Sequence, residues 1–301
     1  MRFTVVGAGA IGRLWGYKLV QQHQVHFWTR NQVQELSISF QPLEAESPSN
    51  TTRFPANQQE LLQHSDCVLI TVKAFQVQQA IHDIRPFLTP GTPIVIMHNG
   101  MGSQDSALAV LPDNPVIYAT TAQAAFRPTE QELKHTGLGQ TWMGALNDAG
   151  THHEHLAELF DQALAPCQWH ADIYNPLWQK LAINCAINPL TAIHQCRNGE
   201  LAHDKYSEEL ATICNEVAQV MSAEGYPTSG NELKALADKV IKATSNNFSS
   251  MNQDICQKRT TEIDYITGYL IARAEAHRIE VPANTRLWQQ IKQLEQKYND
   301  Q

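Results

Sequence analysis

Lys180, Asn184 and Asn188 stand four residues apart in the run Lys180-Leu181-Ala182-Ile183-Asn184-Cys185-Ala186-Ile187-Asn188-Pro189-Leu190-Thr191. An α-helix, at roughly 100° per residue, carries that lysine and both amides on one slowly drifting face. Apolar residues fill the other positions, so the helix is expected to be buried. A buried ammonium with two buried amides must find partners or line a cavity, which is the pattern of a site rather than of a solvated helix end.

A second chemical pattern opens the chain. Gly7-Ala8-Gly9-Ala10-Ile11-Gly12 follows the β-rich run Arg2–Val6 directly and begins a helix, the context in which a G-x-G-x-x-G match indicates dinucleotide binding. Gly7 permits the tight turn, Gly9 lets backbone amides approach a pyrophosphate, and Gly12 lets the helix pack closely on the sheet. The next strand ends Trp28-Thr29-Arg30, with no carboxylate before Glu35. A cation at that place suits a 2′-phosphate, so NADP(H) is expected, with Lys73 as a second positive charge near the nucleotide. The loop His98-Asn99-Gly100-Met101-Gly102 leaves a third strand end, where an open α/β sheet has its ligand crevice. Asn99 both donates and accepts, which suits it to position nicotinamide and substrate together.

These residues need elements to hold them. Strand and helix signals alternate from Arg2 to the helix after Ser103, predicting a parallel sheet with crossover helices. From Val116 to Gly144 shorter strands predict an antiparallel extension of that sheet, and residues 37–57, rich in Ser, Pro and Asn, read as a surface excursion. After Ala171 strand signals nearly vanish, and segments 175–193, 206–224, 230–247, 248–276 and 283–298 have helical composition. The expected fold class is α/β, an N-terminal Rossmann-type dinucleotide-binding domain (1–170) followed by an all-helical substrate-binding domain (171–301). Ser249–Asp254 and Thr261–Tyr265 read as parts of one long helix, with Ser250 and Glu262 about 120° apart around it. An ordinary role for Glu262 would be a surface pair with Lys258 or Arg259.

Composition sets the outer limits. The 301 residues are 43% hydrophobic, enough for two cores, and a net charge of -8 without a basic run argues against nucleic acid or an anionic membrane as partner. No run reaches the roughly 18 apolar residues of a membrane span and no signal-peptide pattern opens the chain, so a cytoplasmic protein is expected. The six cysteines lie far apart without a CxxC pair, suggesting reduced core residues and no zinc site. His152, His153 and His155 are the only dense histidine group and read as a solvated helix start, so no metal is expected.

Taken together the chain resembles ketopantoate reductase, the 2-dehydropantoate 2-reductase of pantothenate biosynthesis. The likeness runs through Gly7–Gly12, Val72-Lys73-Ala74, His98–Gly102, Lys180–Ile193, Asn198-Gly199-Glu200-Leu201, Ser249–Ile255, Thr261–Tyr265 and Val281–Arg286. The resemblance implies that NADPH reduces the 2-keto group of 2-dehydropantoate to (R)-pantoate, in a cleft enclosed by the two domains. It implies Lys180 as general acid and Glu262 as the group holding substrate and lysine. Asn99, Asn184, Asn188, Asn198 and Ser250 would contact substrate. Gly7, Ala8, Gly9, Ala10, Ile11, Gly12, Arg30 and Lys73 would bind cofactor, together with Asn99 and Glu262. The implied assembly is a monomer or homodimer. Hydride addition to a ketone builds charge on oxygen, and an ammonium within reach both stabilises that charge and supplies the proton. The alternatives are an NADP-dependent reductase of another branched 2-keto or imino acid, and a non-enzymatic dinucleotide sensor of the same fold.

Overall fold

The computed structural model describes residues 1–45 and 50–299, so part of the 37–57 excursion and the tail residues Asp300 and Gln301 lie outside the described residues. Its strands in chain order are β1 (Arg2–Val6), β2 (Gln24–Trp28), β3 (Glu35–Gln41), β4 (Asn50–Pro55), β5 (Cys67–Ile70), β6 (Ile94–Met97), β7 (Val116–Thr121), β8 (Ala124–Phe126), β9 (Glu132–Gly137), β10 (Thr141–Ala145) and β11 (Cys167–Trp169). The helices are α1 (Ala10–Leu19), α2 (Gln59–Gln63), α3 (Val77–Ile84), α4 (Gln104–Val110), α5 (His155–Ala163), α6 (Tyr174–His194), α7 (Ser207–Ala223), α8 (Gly230–Ala243), α9 (Ser250–Cys256), α10 (Thr267–Ala276) and α11 (Pro282–Asn299). Two compact units result: residues 1–98 with 103–173, and residues 99–102 with the chain from Tyr174 onward.

The first unit is the expected Rossmann-type α/β structure. Its main sheet runs β11-β10-β7-β6-β5-β1-β2, and the five strands from β7 to β2 are parallel. Strands β5, β6 and β7 are buried at every residue, as continuous apolar runs covered on both faces must be. The antiparallel extension is only partly as predicted. β10 does pair antiparallel with β7, but β8 and β9 leave for a second sheet of order β4-β3-β9-β8. The residues read as a surface excursion supply the rest of that sheet, for β3 and β4 form an antiparallel pair. Ser, Pro and Asn content obscured the alternation Leu36, Ile38, Phe40 in β3. Ile38, Phe40, Phe54 and Leu133 enter one core with Leu14, Trp15 and Leu19 of α1, and Tyr17 stacks on Phe40 at 4.2 Å.

In the second unit all regular elements among the described residues are helical. α6 is buried at every residue from Cys185 to Ala192, which explains a sequence apolar nearly all round. Pro189 sits inside it without an N–H to give the preceding turn, and the Thr191 hydroxyl donates to the carbonyl of Ile187 at 2.9 Å. The predicted single helix over 248–276 is corrected: α9 stops at Cys256, and a short turn at Ile263–Tyr265 precedes α10. Lys258 takes φ 52°, while the Arg259 N–H reaches back to Asp254 O at 2.8 Å and the Lys258 N–H to Ile255 O at 3.1 Å. Those two bonds satisfy the last carbonyls of α9 and end it without a glycine. No described helix is long and apolar enough to cross a membrane.

Candidate active site

The first unit gathers the predicted cofactor residues on one sheet edge. β2, β1 and β5 are neighbours and parallel, so the glycine loop leaving β1, Arg30 leaving β2 and Lys73 following β5 all lie at their carboxyl ends. Gly7 adopts φ 97°, and a Cβ there would meet Val72 Cγ1 at 2.8 Å; one on Gly12 would lie 2.3 Å from the Gly7 carbonyl. Beyond its own chain neighbours, no heavy atom lies within 4 Å of the Cβ position of Gly9, which caps the N-terminus of α1, so the backbone there faces open space. Ala8, Ala10 and Ile11 are half-buried beside it. This cradle, with free amides at a helix start and no side chain in the way, fits a dinucleotide pyrophosphate. Arg30 is exposed, and Asn57 pins the backbone just before it by accepting from the Thr29 N–H at 2.8 Å. Lys73 is half-buried, with its ammonium 6.0 Å from the Phe75 ring centre.

Asn99, Lys180 and Glu262, separated widely in sequence, meet within the second unit. The Lys180 ammonium donates to Asn99 Oδ1 at 2.9 Å, and the Asn99 amide donates to Glu262 Oε2 at 3.2 Å. Burial lowers the Lys180 pKa to about 8 despite the opposing pull of the Glu262 charge. Glu262 is only 7% exposed, and Arg259 instead forms its ion pair with Asp254 at 2.8 Å. The surface-pair alternative with Arg259 therefore gives way to a buried carboxylate facing Asn99.

Backbone contacts fix this group. The Met101 N–H donates to the Tyr265 carbonyl at 2.7 Å. Gly100 has φ 82°, and a Cβ on it would lie 2.2 Å from that same carbonyl, so only glycine allows the approach. The Thr261 N–H donates to Glu295 of α11 at 2.7 Å, which anchors the residue before Glu262. Glu295 carried no signal in sequence, and Tyr265, though part of the Thr261–Tyr265 segment, carried none for this backbone contact, because each acts on a neighbour distant along the chain.

The remaining predicted substrate residues differ in their surroundings. Asn184 and Asn188 follow Lys180 on α6, and their side-chain amides make no hydrogen bond among the described residues. Asn184 is half-buried and Asn188 is buried. Asn198 is buried; its amide donates to Thr244 Oγ1 at 2.9 Å, but its Oδ1 has no partner among the described residues. Ser250 is exposed at the start of α9. Its neighbour Ser249 is the cap: its hydroxyl accepts from the Asn252 N–H at 3.1 Å and lies 2.7 Å from the Thr191 hydroxyl, to which its own proton can go, tying α9 to α6. Correcting the long helix also removes the 120° relation between Ser250 and Glu262, since they stand on separate elements.

Two family models match the chain. One, described as ketopantoate reductase PanE/ApbA, matches residues 3–148, and the other, the C-terminal part of the same family, matches residues 172–295. The chain belongs to the ketopantoate reductase family. It is 42% identical to the 2-dehydropantoate 2-reductase of Vibrio cholerae serotype O1 over 300 residues, covering 99% of both chains. It is 40% identical to the enzyme of that name from Escherichia coli O157:H7, covering 99% of this chain and 96% of that one. Among solved structures, a PanE/ApbA family ketopantoate reductase from Ralstonia eutropha JMP134 superposes with a TM-score of 0.86 at 25% identity, covering 99% of each chain.

Proposed function

We infer that this chain is an oxidoreductase that reduces 2-dehydropantoate to (R)-pantoate, the step of pantothenate biosynthesis carried out by the ketopantoate reductases it resembles over its full length. A nicotinamide dinucleotide supplies the hydride when bound. The observation that carries the reading is the Lys180–Asn99–Glu262 chain, in which an ammonium with pKa about 8 is held at 2.9 Å by an amide that a buried carboxylate orients.

In this reading the Lys180 ammonium donates to the keto oxygen of the substrate and gives up its proton as that oxygen becomes a hydroxyl; solvent then restores the ammonium. A pKa near the working pH suits a group that must both hold and release a proton. Glu262 keeps the ammonium charged against the cost of burial, and Asn99 sets the distance between them. The uncommitted amides of Asn184 and Asn188, the unsatisfied Oδ1 of Asn198 and the exposed hydroxyl of Ser250 offer directional partners for the carboxylate and hydroxyls of the substrate. Residues 171–301, together with Asn99, serve the substrate, and the rest of residues 1–170 the cofactor. Gly7, Ala8, Gly9, Ala10, Ile11 and Gly12 take its pyrophosphate, and Arg30 and Lys73 take a 2′-phosphate, giving a preference for NADP(H).

The test is NADPH oxidation followed optically with 2-dehydropantoate and with pyruvate. Turnover that strongly favours 2-dehydropantoate supports the reading. Equal turnover of pyruvate would assign the site to a broader 2-keto acid class, and none with either would overturn it. Sedimentation distinguishes the monomer from the homodimer.

A further inference from the structure

Ala8, inside the glycine loop, has a carbonyl that two guanidiniums share. Arg13 Nε donates to it at 2.9 Å and Arg127 Nη1 at 3.2 Å. Arg13 belongs to the first turn of α1 and is only 3% exposed; its Nη1 also lies 3.4 Å from the Ser37 carbonyl of β3. Arg127 follows β8, and its Nη2 donates to the Glu130 carbonyl at 3.1 Å. The four-stranded sheet thus reaches the cofactor loop through two cations on one oxygen. Both side chains spend donors on backbone carbonyls of this loop, of β3 and of the segment after β8.

We propose that Arg13 and Arg127 are positioning residues for the dinucleotide pyrophosphate: by holding the Ala8 carbonyl they aim the Gly9 N–H toward the open face of the loop. The inference rests on the reading of Gly7–Gly12 as the cofactor cradle. In a trans peptide the carbonyl and the following N–H point opposite ways, so fixing Ala8 O on the buried side fixes the Gly9 N–H on the other. Gly9 is exposed, and beyond its own chain neighbours no heavy atom lies within 4 Å of its Cβ position. Two positive charges bound to the oxygen also polarise the peptide and strengthen its N–H as a donor to an anion. The crowding is visible in Arg13, whose pKa falls to about 10 through burial and the charge of Arg127, with Glu130 offsetting it in part. An anion in front of the loop relieves that repulsion.

The test is calorimetric titration of the full chain with NADPH and with 2′-AMP, which has the 2′-phosphate but no pyrophosphate. Arg127→Gln should weaken NADPH roughly tenfold, the size expected for one charge-assisted hydrogen bond, and leave 2′-AMP unchanged. Arg127→Lys should recover part of the loss, and the KM for 2-dehydropantoate should not move. Arg13→Gln should show the same ligand selectivity and serves if the first variant fails to fold. Unchanged NADPH affinity in both glutamine variants, or equal weakening of both ligands, overturns the proposal. If the unmutated protein binds neither ligand, the cofactor assignment itself has failed.

Discussion

Replacing Glu262 by Gln keeps the size of the side chain and an acceptor for Asn99 while removing the negative charge that helps Lys180 stay protonated. Two hydrogen bonds in series, 2.9 and 3.2 Å, join the ammonium to the carboxylate through one amide. Charges linked in this way lie within roughly 8 Å, where their attraction is about 2 kcal/mol at an effective dielectric constant of about 20. Since 1.4 kcal/mol corresponds to about one pH unit, the Lys180 pKa should fall from about 8 by one unit or more. The direction follows from the protonation state that reacts. Reduction needs the ammonium, so the rate is flat at low pH and falls as pH rises through the lysine pKa. In the variant that fall begins at lower pH. Reductive kcat/KM measured from pH 5.5 to 9.5, taken as about the usable range, should show a deficit of about tenfold near pH 8 that narrows toward pH 6. The residual deficit at low pH measures lost positioning. The cost to folding is bounded by the same attraction of about 2 kcal/mol, so the variant should still melt cooperatively. An unmoved alkaline limb together with normal kcat/KM would refute the coupling of Glu262 to Lys180.

Lys180→Ala should lower kcat by about a hundredfold or more while NADPH still binds, checked by steady-state kinetics and titration; near-normal turnover would return Lys180 to a packing role. NADPH should bind at least about tenfold tighter than NADH, and Arg30→Ala should remove most of that difference while sparing NADH, as loss of one charge-assisted phosphate contact predicts. Equal affinities in the unmutated protein would remove the argument from Arg30. Gly100→Ala places a Cβ 2.2 Å from the Tyr265 carbonyl at φ 82°, so it should displace Asn99 and cut kcat/KM by about tenfold or more. NADPH affinity should fall much less than kcat/KM, because the glycine cradle that takes the pyrophosphate is built by other residues, and a fully active variant would show that the loop tolerates the shift.

The elements carried by strong periodicity were legible in the chain itself. Parallel strands buried on both faces leave continuous apolar runs, and α6 leaves an apolar run broken by Lys180, Asn184 and Asn188; both are local patterns that burial imposes directly on composition. The glycine motif was equally local, since Gly7 and Gly12 answer to clashes within a few residues of one strand end and its neighbour. The sheet formed by β3, β4, β8 and β9 was not legible as such: β3 pairs with β4 and β8 with β9 locally, but the two pairs are joined only through β3 and β9, where Ser39 meets Glu132, and in β3 only the alternation Leu36, Ile38, Phe40 hints at a half-buried strand. The break after α9 escaped notice because Lys258, a residue with ordinary helical preference, takes a left-handed conformation that tertiary packing enforces and no sequence rule predicts. The same holds for the site. The residue types of Lys180 and Glu262 could be read from the chain, but that one amide, Asn99, joins them, and that Arg13 and Arg127 converge on Ala8, are facts of chain segments brought together from 81 to 163 and from 5 to 119 residues apart. Side-chain chemistry is written residue by residue, whereas hydrogen-bond partners and burial, which set a pKa, arise only when distant segments share one space.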